Sequence, residues 1–356
     1  MTALAVLPEL ARDSQLATAV TSDCCMHFFA ETPTSTRKEV WKRTKRLGSG
    51  GYGTVWLEIC VEGQDIDVNN KCRAVKVLQL PTDAPVAEAV SRYGRELEAL
   101  AKFSQRKSYG WYEDAPSSSI SICLEFLPLG DLQAFIAKRA DPKLPEPEVQ
   151  QIVSQVLDGL VFMHVEGFAH RDLKPAVSAV AGRVPDRRGA YVRYISTQNI
   201  LIKSHSPDDW WIKLSDFGLS KRTEVSSGTI GIQGTPSFMA PELWGYIAND
   251  QLSRTAMAYP ADMWSLGEIA FQLATGRPTF PRPAMLVKYT LGQCGFPVFQ
   301  LQKAAVSQAM VDFITGTMLA NYTQRPTAET ASTHPWLGGL KREALPLHGS
   351  LRFDAR

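Results

Sequence analysis

Some residues in this sequence have the types and spacing to handle phosphate. In HRDLKP (170–175), Asp172 lies two positions before Lys174. A carboxylate beside a hydroxyl can take its proton as a phosphoryl group moves. A lysine two residues on can neutralise charge on that group. Asp216 of DFG (216–218) offers the hard oxygen that Mg2+ prefers, and Asn199 can add a second metal contact. Upstream, GSGGYGTV sets Gly48, Gly50 and Gly53 in a G-x-G-x-x-G pattern. Glycines let a backbone approach phosphate oxygens with no Cβ in the way. Lys76 of AVKVL could hold the phosphates, and Glu96 of GRELEAL could pair with it and keep it there.

Each of these has a blander reading when taken alone. A lysine in a strand is usually a solvated edge, and a lone glycine string also opens the helix of a dinucleotide-binding unit. The residues after Gly53 discriminate. TVWLEICV (54–61) is β-branched and aromatic, so a strand follows the glycines and not a helix. A strand-loop-strand hairpin over phosphates fits, and a dinucleotide-binding enzyme does not.

The elements that must position these groups follow from periodicity. CRAVKVL (72–78) and SISICLEFL (119–127) read as strands, and 86–103 as a helix. Beyond residue 130 the pattern is mainly helical. Residues 146–167 place Val149, Ile152, Val153, Val156, Leu157 and Leu160 on one face, and 261–276 is apolar nearly all round, as a buried helix would be. Residues 1–40 read as a weakly ordered lead-in because ETPTSTRKE is polar and rich in Thr, and 338–356 as a short polar tail. The expected architecture is α+β, a strand-rich first lobe of about 41–127 and a helical second lobe of about 128–337, with a cleft between them.

Glycine loop, lysine, helix glutamate, HRD, DFG and APE (240–242) occur here in one order, and the set resembles the eukaryotic protein kinase family over about 41–337. The resemblance implies a serine/threonine protein kinase fold with an ATP cleft, using ATP and Mg2+. Gly48, Gly50 and Gly53 would cover ATP. Val55, Ala74 and Leu201 would sandwich the adenine. Leu124 would be the gatekeeper, and Glu125 to Leu127 the hinge. Lys76 with Glu96 would hold the phosphates, Asp172 would be the catalytic base with Lys174 as its helper, and Asn199 and Asp216 would hold Mg2+. Glu242 would pair with Arg325, and Asp262 would brace the catalytic loop. Lys174 and Thr235 resemble the serine/threonine type, and GDL (130–132) with THPWL (333–337) resembles the calcium/calmodulin-dependent group. Thr223, Ser226, Ser227 and Thr229 are candidate sites for an upstream activating kinase, answered by Arg171. The implied partners are proteins carrying Ser or Thr hydroxyls.

One stretch departs from the family pattern. Residues 177–198 separate HRDLKPA from NILI, and without them the text reads HRDLKPANILI. Val177–Ser178 can be encoded as GTRAGT and Gln198 as CAG, the marks of a splice donor and acceptor, so the insert reads as a retained intron. It carries Arg183, Arg187, Arg188 and Arg193 against Asp186 alone, so the formal net charge of +2 rests on it. If the insert is truly present, a pseudokinase or scaffold module is the rival reading.

Composition excludes other classes. At 356 residues with 44% hydrophobic and 21% charged residues, the chain has the make-up of a folded globular protein. A net charge of +2 gives no basic field for nucleic acid. No apolar run is long enough to cross a bilayer, and the start lacks a signal-peptide pattern. Six cysteines without a C-x-x-C pair fit reduced thiols in the cytoplasm or nucleus.

Overall fold

The structure is a computed structural model that describes residues 9–21, 23–32, 35–50, 53–63, 71–79, 94, 97–98, 101–102, 110–114, 117–170, 199–207, 209–215, 221–222, 240–244 and 257–339. The chain divides into two units, with the boundary between Phe126 and Leu127.

The first unit is built on a seven-stranded sheet. A short helix α1 (Glu9–Asp13) precedes β1 (Ala17–Val20), β2 (Cys24–Thr32), β3 (Ser35–Gly50), β4 (Gly53–Glu62), β5 (Cys72–Gln79), β6 (Trp111–Asp114) and β7 (Ser119–Glu125). The order across the sheet is β1-β2-β3-β4-β5-β7-β6, and every strand pair is antiparallel. Side chains alternate between faces. Arg73, Val75 and Val77 of β5 point to the face that holds Cys25, Trp41, Tyr112 and Cys123, while Leu78 packs on the other face with Leu97, Trp111, Ile120 and Ile122. The described residues of 94–102 are helical, as expected for 86–103.

The described residues of 9–40 therefore form a helix and strands, and not the weakly ordered lead-in expected for 1–40. Cys25 and His27 are buried while Phe28 is exposed, a period-2 pattern that seats β2 against β3. The polar stretch read as a linker includes the end of β2 and the start of β3, with Thr32 opposite Ser35. Its charged residues belong to a strand. Lys38 faces Glu62 at 3.2 Å and Arg37 faces buried Glu39 at 3.2 Å.

The inner face carries a buried ion pair that the strand pattern does not announce. Arg73 and Glu58 are 1% and 2% exposed, and Arg73 Nη2 lies 2.7 Å from Glu58 Oε2. The same nitrogen donates to Cys25 Sγ at 3.1 Å, and the guanidinium stacks 4.2 Å over Trp41. All six cysteines are free. Burial pushes the Cys25 thiol up to about 11 and the Cys123 thiol to about 12, which keeps both protonated.

The second unit is mainly helical, with α2 (Leu132–Ala137), α3 (Glu146–Val165), α4 (Ala258–Thr275), α5 (Pro283–Thr290), α6 (Val298–Lys303), α7 (Gln308–Thr317) and α8 (Ala328–Ser332). Two small ribbons add β8 (Phe168–Ala169) with β11 (Lys221–Arg222), and β9 (Ile200–Ser204) with β10 (Trp211–Leu214). The expected face of α3 is the observed one, since Val149, Ile152, Val153, Val156, Leu157 and Leu160 are all buried in the core. Helix α4 is buried nearly all round, including Asp262, Glu268 and Gln272. No described helix is long and apolar enough to cross a membrane.

Candidate active site

In the first unit the site is organised by strand register. Gly48 faces Val55 across the β3–β4 hairpin, Val55 faces Lys76 on β5, and Lys76 faces Ile122 on β7. One row of paired residues thus carries a hairpin glycine, an adenine-contact candidate and the candidate phosphate lysine. The hairpin narrows through Ser49–Thr54 to Gly50–Gly53. Gly53 has φ +127°, and a Cβ there would stand 2.2 Å from the Val77 carbonyl oxygen. Its first demand is close approach to β5, a reason the phosphate argument does not contain. Among the described residues no atom lies within 4 Å of where a Cβ on Gly48 would be, so the backbone there borders open space among them.

Lys76 is only 7% exposed. A buried ammonium needs a counter-charge or an anionic ligand. Ala74, two residues before it, lies on the same face and pairs with Leu57 on one side and Leu124 on the other. This sets Ala74 and Leu124 side by side, as a flat apolar surface requires. Glu125 is half-buried and Leu127 is buried. Glu96, the expected partner of Lys76, lies outside the described residues, and its neighbour Leu97 is fully buried beside Leu78.

In the second unit, Asp172, Lys174, Asp216, Thr223, Ser226, Ser227 and Thr229 lie outside the described residues. Their described neighbours are held firmly. The His170 backbone N–H donates to Asp262 Oδ2 at 2.8 Å, and His164 Nε2 reaches the same oxygen at 3.0 Å. Asp262 is 1% exposed on α4, so a buried carboxylate grips the chain two residues before Asp172. Asn199 precedes β9, and its carbonyl accepts from the Ser215 N–H at 2.9 Å. Ser215 is the residue before Asp216, so one backbone bond ties the Asn199 end to the DFG end. Leu201 bridges to Asp131, and the Ile202 N–H donates to the Gly130 carbonyl at 2.9 Å. Asp131 caps α2 by accepting from the Ala134 N–H at 2.7 Å, a structural role for a carboxylate that could also meet a basic peptide.

Glu242 and Arg325 form the bidentate pair expected of them. Nη1 and Nη2 of Arg325 donate to the two carboxylate oxygens at 2.7 and 2.8 Å. Both side chains are 0% exposed. The arginine also donates to the Leu319 and Pro260 carbonyls and stacks 4.9 Å over Trp264, so its donors are shared among three segments. Sequence reasoning missed the Glu58–Arg73 pair and the contribution of residues 9–32. The apolar run CCMHFF was the available signal for the second, and nothing local marks the first.

Comparison with known proteins agrees with this geometry. The sequence matches the protein kinase domain over residues 41–177 and 189–337, with the interruption inside the inserted stretch. The chain is 26% identical over 314 residues to MAP3K epsilon protein kinase 1 of Brassica napus, covering 86% of this chain and 20% of that protein. It is 30% identical over 223 residues to Serine/threonine-protein kinase 17A of Oryctolagus cuniculus, covering 62% of this chain and 48% of that one. It spans less than half the length of either relative. Among solved structures, Rad53 1-466 in complex with AMP-PNP superposes with a TM-score of 0.58 at 26% identity, covering 83% of this chain and 65% of that chain.

Proposed function

We propose a function on one premise: the chain belongs to the protein kinase family. It acts as a serine/threonine protein kinase that transfers the γ-phosphoryl group of ATP to hydroxyls of protein substrates. The observation that carries this reading is the strand row from Gly48 through Val55 to buried Lys76. That row fits a nucleoside triphosphate: backbone bordering open space for the phosphates, a buried cation beside it, and the apolar Ala74–Leu124 pair for a base.

Bound ATP supplies the phosphoryl group, and Mg2+ supplies charge to neutralise it. The remaining roles belong to this chain. Lys76, with Glu96 as its pair, orients the phosphates, while Gly48, Gly50 and Gly53 leave room for them. Val55, Ala74 and Leu201 take the adenine, next to Leu124 and the Glu125–Leu127 segment. Asp172 accepts the proton of the substrate hydroxyl, and Lys174 balances charge beside it. Asn199 and Asp216 are the metal ligands. An upstream kinase acting on Thr223, Ser226, Ser227 or Thr229, with Thr229 favoured, places a phosphate for Arg171 to meet and so orders the segment that carries it. The cytoplasm or nucleus is the setting that the cysteine usage favours. The relatives named above divide between a MAP kinase kinase kinase group and kinase 17A, so the reading stops at serine/threonine specificity.

One feature favours a second reading, a silent binding module. The insert 177–198 stands between Asp172 and Asn199. Closing a loop of that length costs about 2.7 kcal/mol from its logarithmic dependence alone. The fold can bear this, since domains are stable by about 5–15 kcal/mol. Geometry is less forgiving, because a misplacement of about 1 Å can cost on the order of a hundredfold in rate. The test is Mg2+- and ATP-dependent phosphorylation of a generic basic protein by the chain as written and by a form lacking 177–198, with Asp172→Asn as the blank. We expect the shortened form to be active and the full form strongly reduced. Equal activity of both would overturn the geometric argument. Activity no higher than the blank in both would favour the binding module.

A further inference from the structure

The N-terminal residues do more than add strands. The sheet begins at β1 and ends at β6, which would leave two edges. The segment that leads into β1 runs along β6 instead. Gln15 forms a parallel bridge with Trp111. The Trp111 N–H donates to the Ser14 carbonyl at 3.2 Å, and the Leu16 N–H donates to the Trp111 carbonyl at 2.8 Å. The indole N–H of Trp111 donates to the Ala11 carbonyl at 2.6 Å. One stretch, residues 9–20, thus holds both ends of the sheet, as a strap closes a ring.

This strap joins the row that carries the nucleotide residues. Trp111 faces Ile122, Ile122 faces Lys76, Lys76 faces Val55, and Val55 faces Gly48. Gln15 therefore stands at one end of a continuous hydrogen-bonded row whose other end is the glycine hairpin. Behind the row, Ala11 and Trp111 share a fully enclosed apolar cluster with Leu78, Leu97 and Ile122. Leu97 follows Glu96 directly in the sequence. Gly110 makes the approach possible, because a Cβ there would stand 2.2 Å from the Ser14 carbonyl oxygen.

We propose that the strap of residues 9–16 is a positioning element for nucleotide binding, with Trp111 and Gly110 as the positioning residues that transmit its docking through Ile122 to Lys76. The proposal rests on the nucleotide reading of Lys76 given above. Strands in one hydrogen-bonded row share a register, so loosening β6 shifts the seat of Lys76 without touching any residue that meets ATP.

The full chain tests this with Mg2+ and the ATP analogue AMP-PNP as the probe. Two quantities are read on folded protein: the dissociation constant of the analogue, and amide hydrogen exchange over residues 9–20. Gly110→Val pushes a side chain into the Ser14 carbonyl. Trp111→Phe keeps an aromatic ring in the cluster but removes the indole donor together with part of the ring volume. Thr21→Ala alters the exposed β1–β2 turn and serves as the control. A coupling of ordinary size gives about a tenfold weaker affinity in Gly110→Val, a smaller loss in Trp111→Phe and none in Thr21→Ala, with faster exchange in the strap. A merely structural strap would lower the melting temperature and leave affinity unchanged. Unchanged affinity with a released strap overturns the proposal, and so does a strap that stays protected in Gly110→Val. If Gly110→Val does not fold, Trp111→Phe decides by the same two readings. Failure of the wild-type chain to bind the analogue overturns the nucleotide reading itself, and the positioning role falls with it.

Discussion

At the scale of single residues, buried charge is the recurring device. Arg325 and Glu242 are both fully buried and doubly bonded to each other. Removing one partner of such a pair leaves an uncompensated charge and typically costs about 3–5 kcal/mol. Arg325→Met should therefore destabilise by that amount, while the double change Arg325→Met with Glu242→Leu should recover much of it. Denaturant unfolding of the three chains measures both numbers. A double variant no more stable than Arg325→Met would show that the guanidinium matters through its bonds to the Leu319 and Pro260 carbonyls and its stack on Trp264, and not through the carboxylate. The Asp262 carboxylate works differently, because one of its partners is the backbone N–H of His170. It holds chain position, and its value lies in where the next residues start.

At the scale of elements, strand β2 decides whether the first unit has a covered face. It contributes Cys25 and His27 to the layer over Trp41, Arg73 and Tyr112. A chain that began at Trp41, where the family match begins, would lose β1, β2 and the strap together. Strand β3 would become an open edge, and the Arg73–Glu58 pair would meet water from one side. Exposed edges of this kind pair with other chains. We expect such a truncated chain to be largely insoluble, or to melt well below the full chain, in expression trials and calorimetry run side by side. A soluble truncation with an unshifted melting temperature would show that residues 9–40 are an ornament on the sheet. Helix α3 needs no such help, since its apolar face sits wholly within the core of its own unit.

At the scale of the whole molecule, the two units should answer acid in opposite ways. His27 is buried, and burial, aided by Arg73, lowers its value from 6.5 to about 3. Between those values the unfolded chain binds the proton and the folded one does not, so the first unit loses stability as pH falls below 6.5. Glu268 is buried on α4, and burial raises its value from 4.5 to about 7. There the folded chain holds the proton, so the second unit loses stability as pH rises from 4.5 through 7. Going from pH 7.5 to 5 should cost the first unit about 2 kcal/mol and give the second slightly more, at about 1.4 kcal/mol per pH unit where each slope is full. Calorimetry should resolve two transitions that converge or cross with pH. His27→Gln should freeze the movement of one, and Glu268→Gln that of the other. Transitions that shift together in all three chains would remove both groups as the cause.

The sequence by itself determined the family, the order of its motifs and the elements that carry them. Glycines, lysine, HRD, DFG and APE occur in one order along the chain, and strand and helix periods are local properties. Gly48, Val55, Lys76, Ala74 and Leu124 were expected at one site on those grounds, and the register of β3, β4, β5 and β7 places them on paired strands. The Glu242–Arg325 pair was legible only through the family pattern, since the two residues lie far apart in the chain. Only the tertiary structure decided the fate of residues 9–32. Polar and apolar residues there are evenly mixed, and what makes them a strap and strands is pairing with Trp111 and with β3. It alone decided that Arg73 and Glu58 are buried, because a charged residue in a strand faces water until another layer covers it. Local spacing records which groups a chain possesses, whereas burial is conferred by segments distant in sequence, and here those segments are the first to leave the N-terminus and the last that periodicity would have assigned.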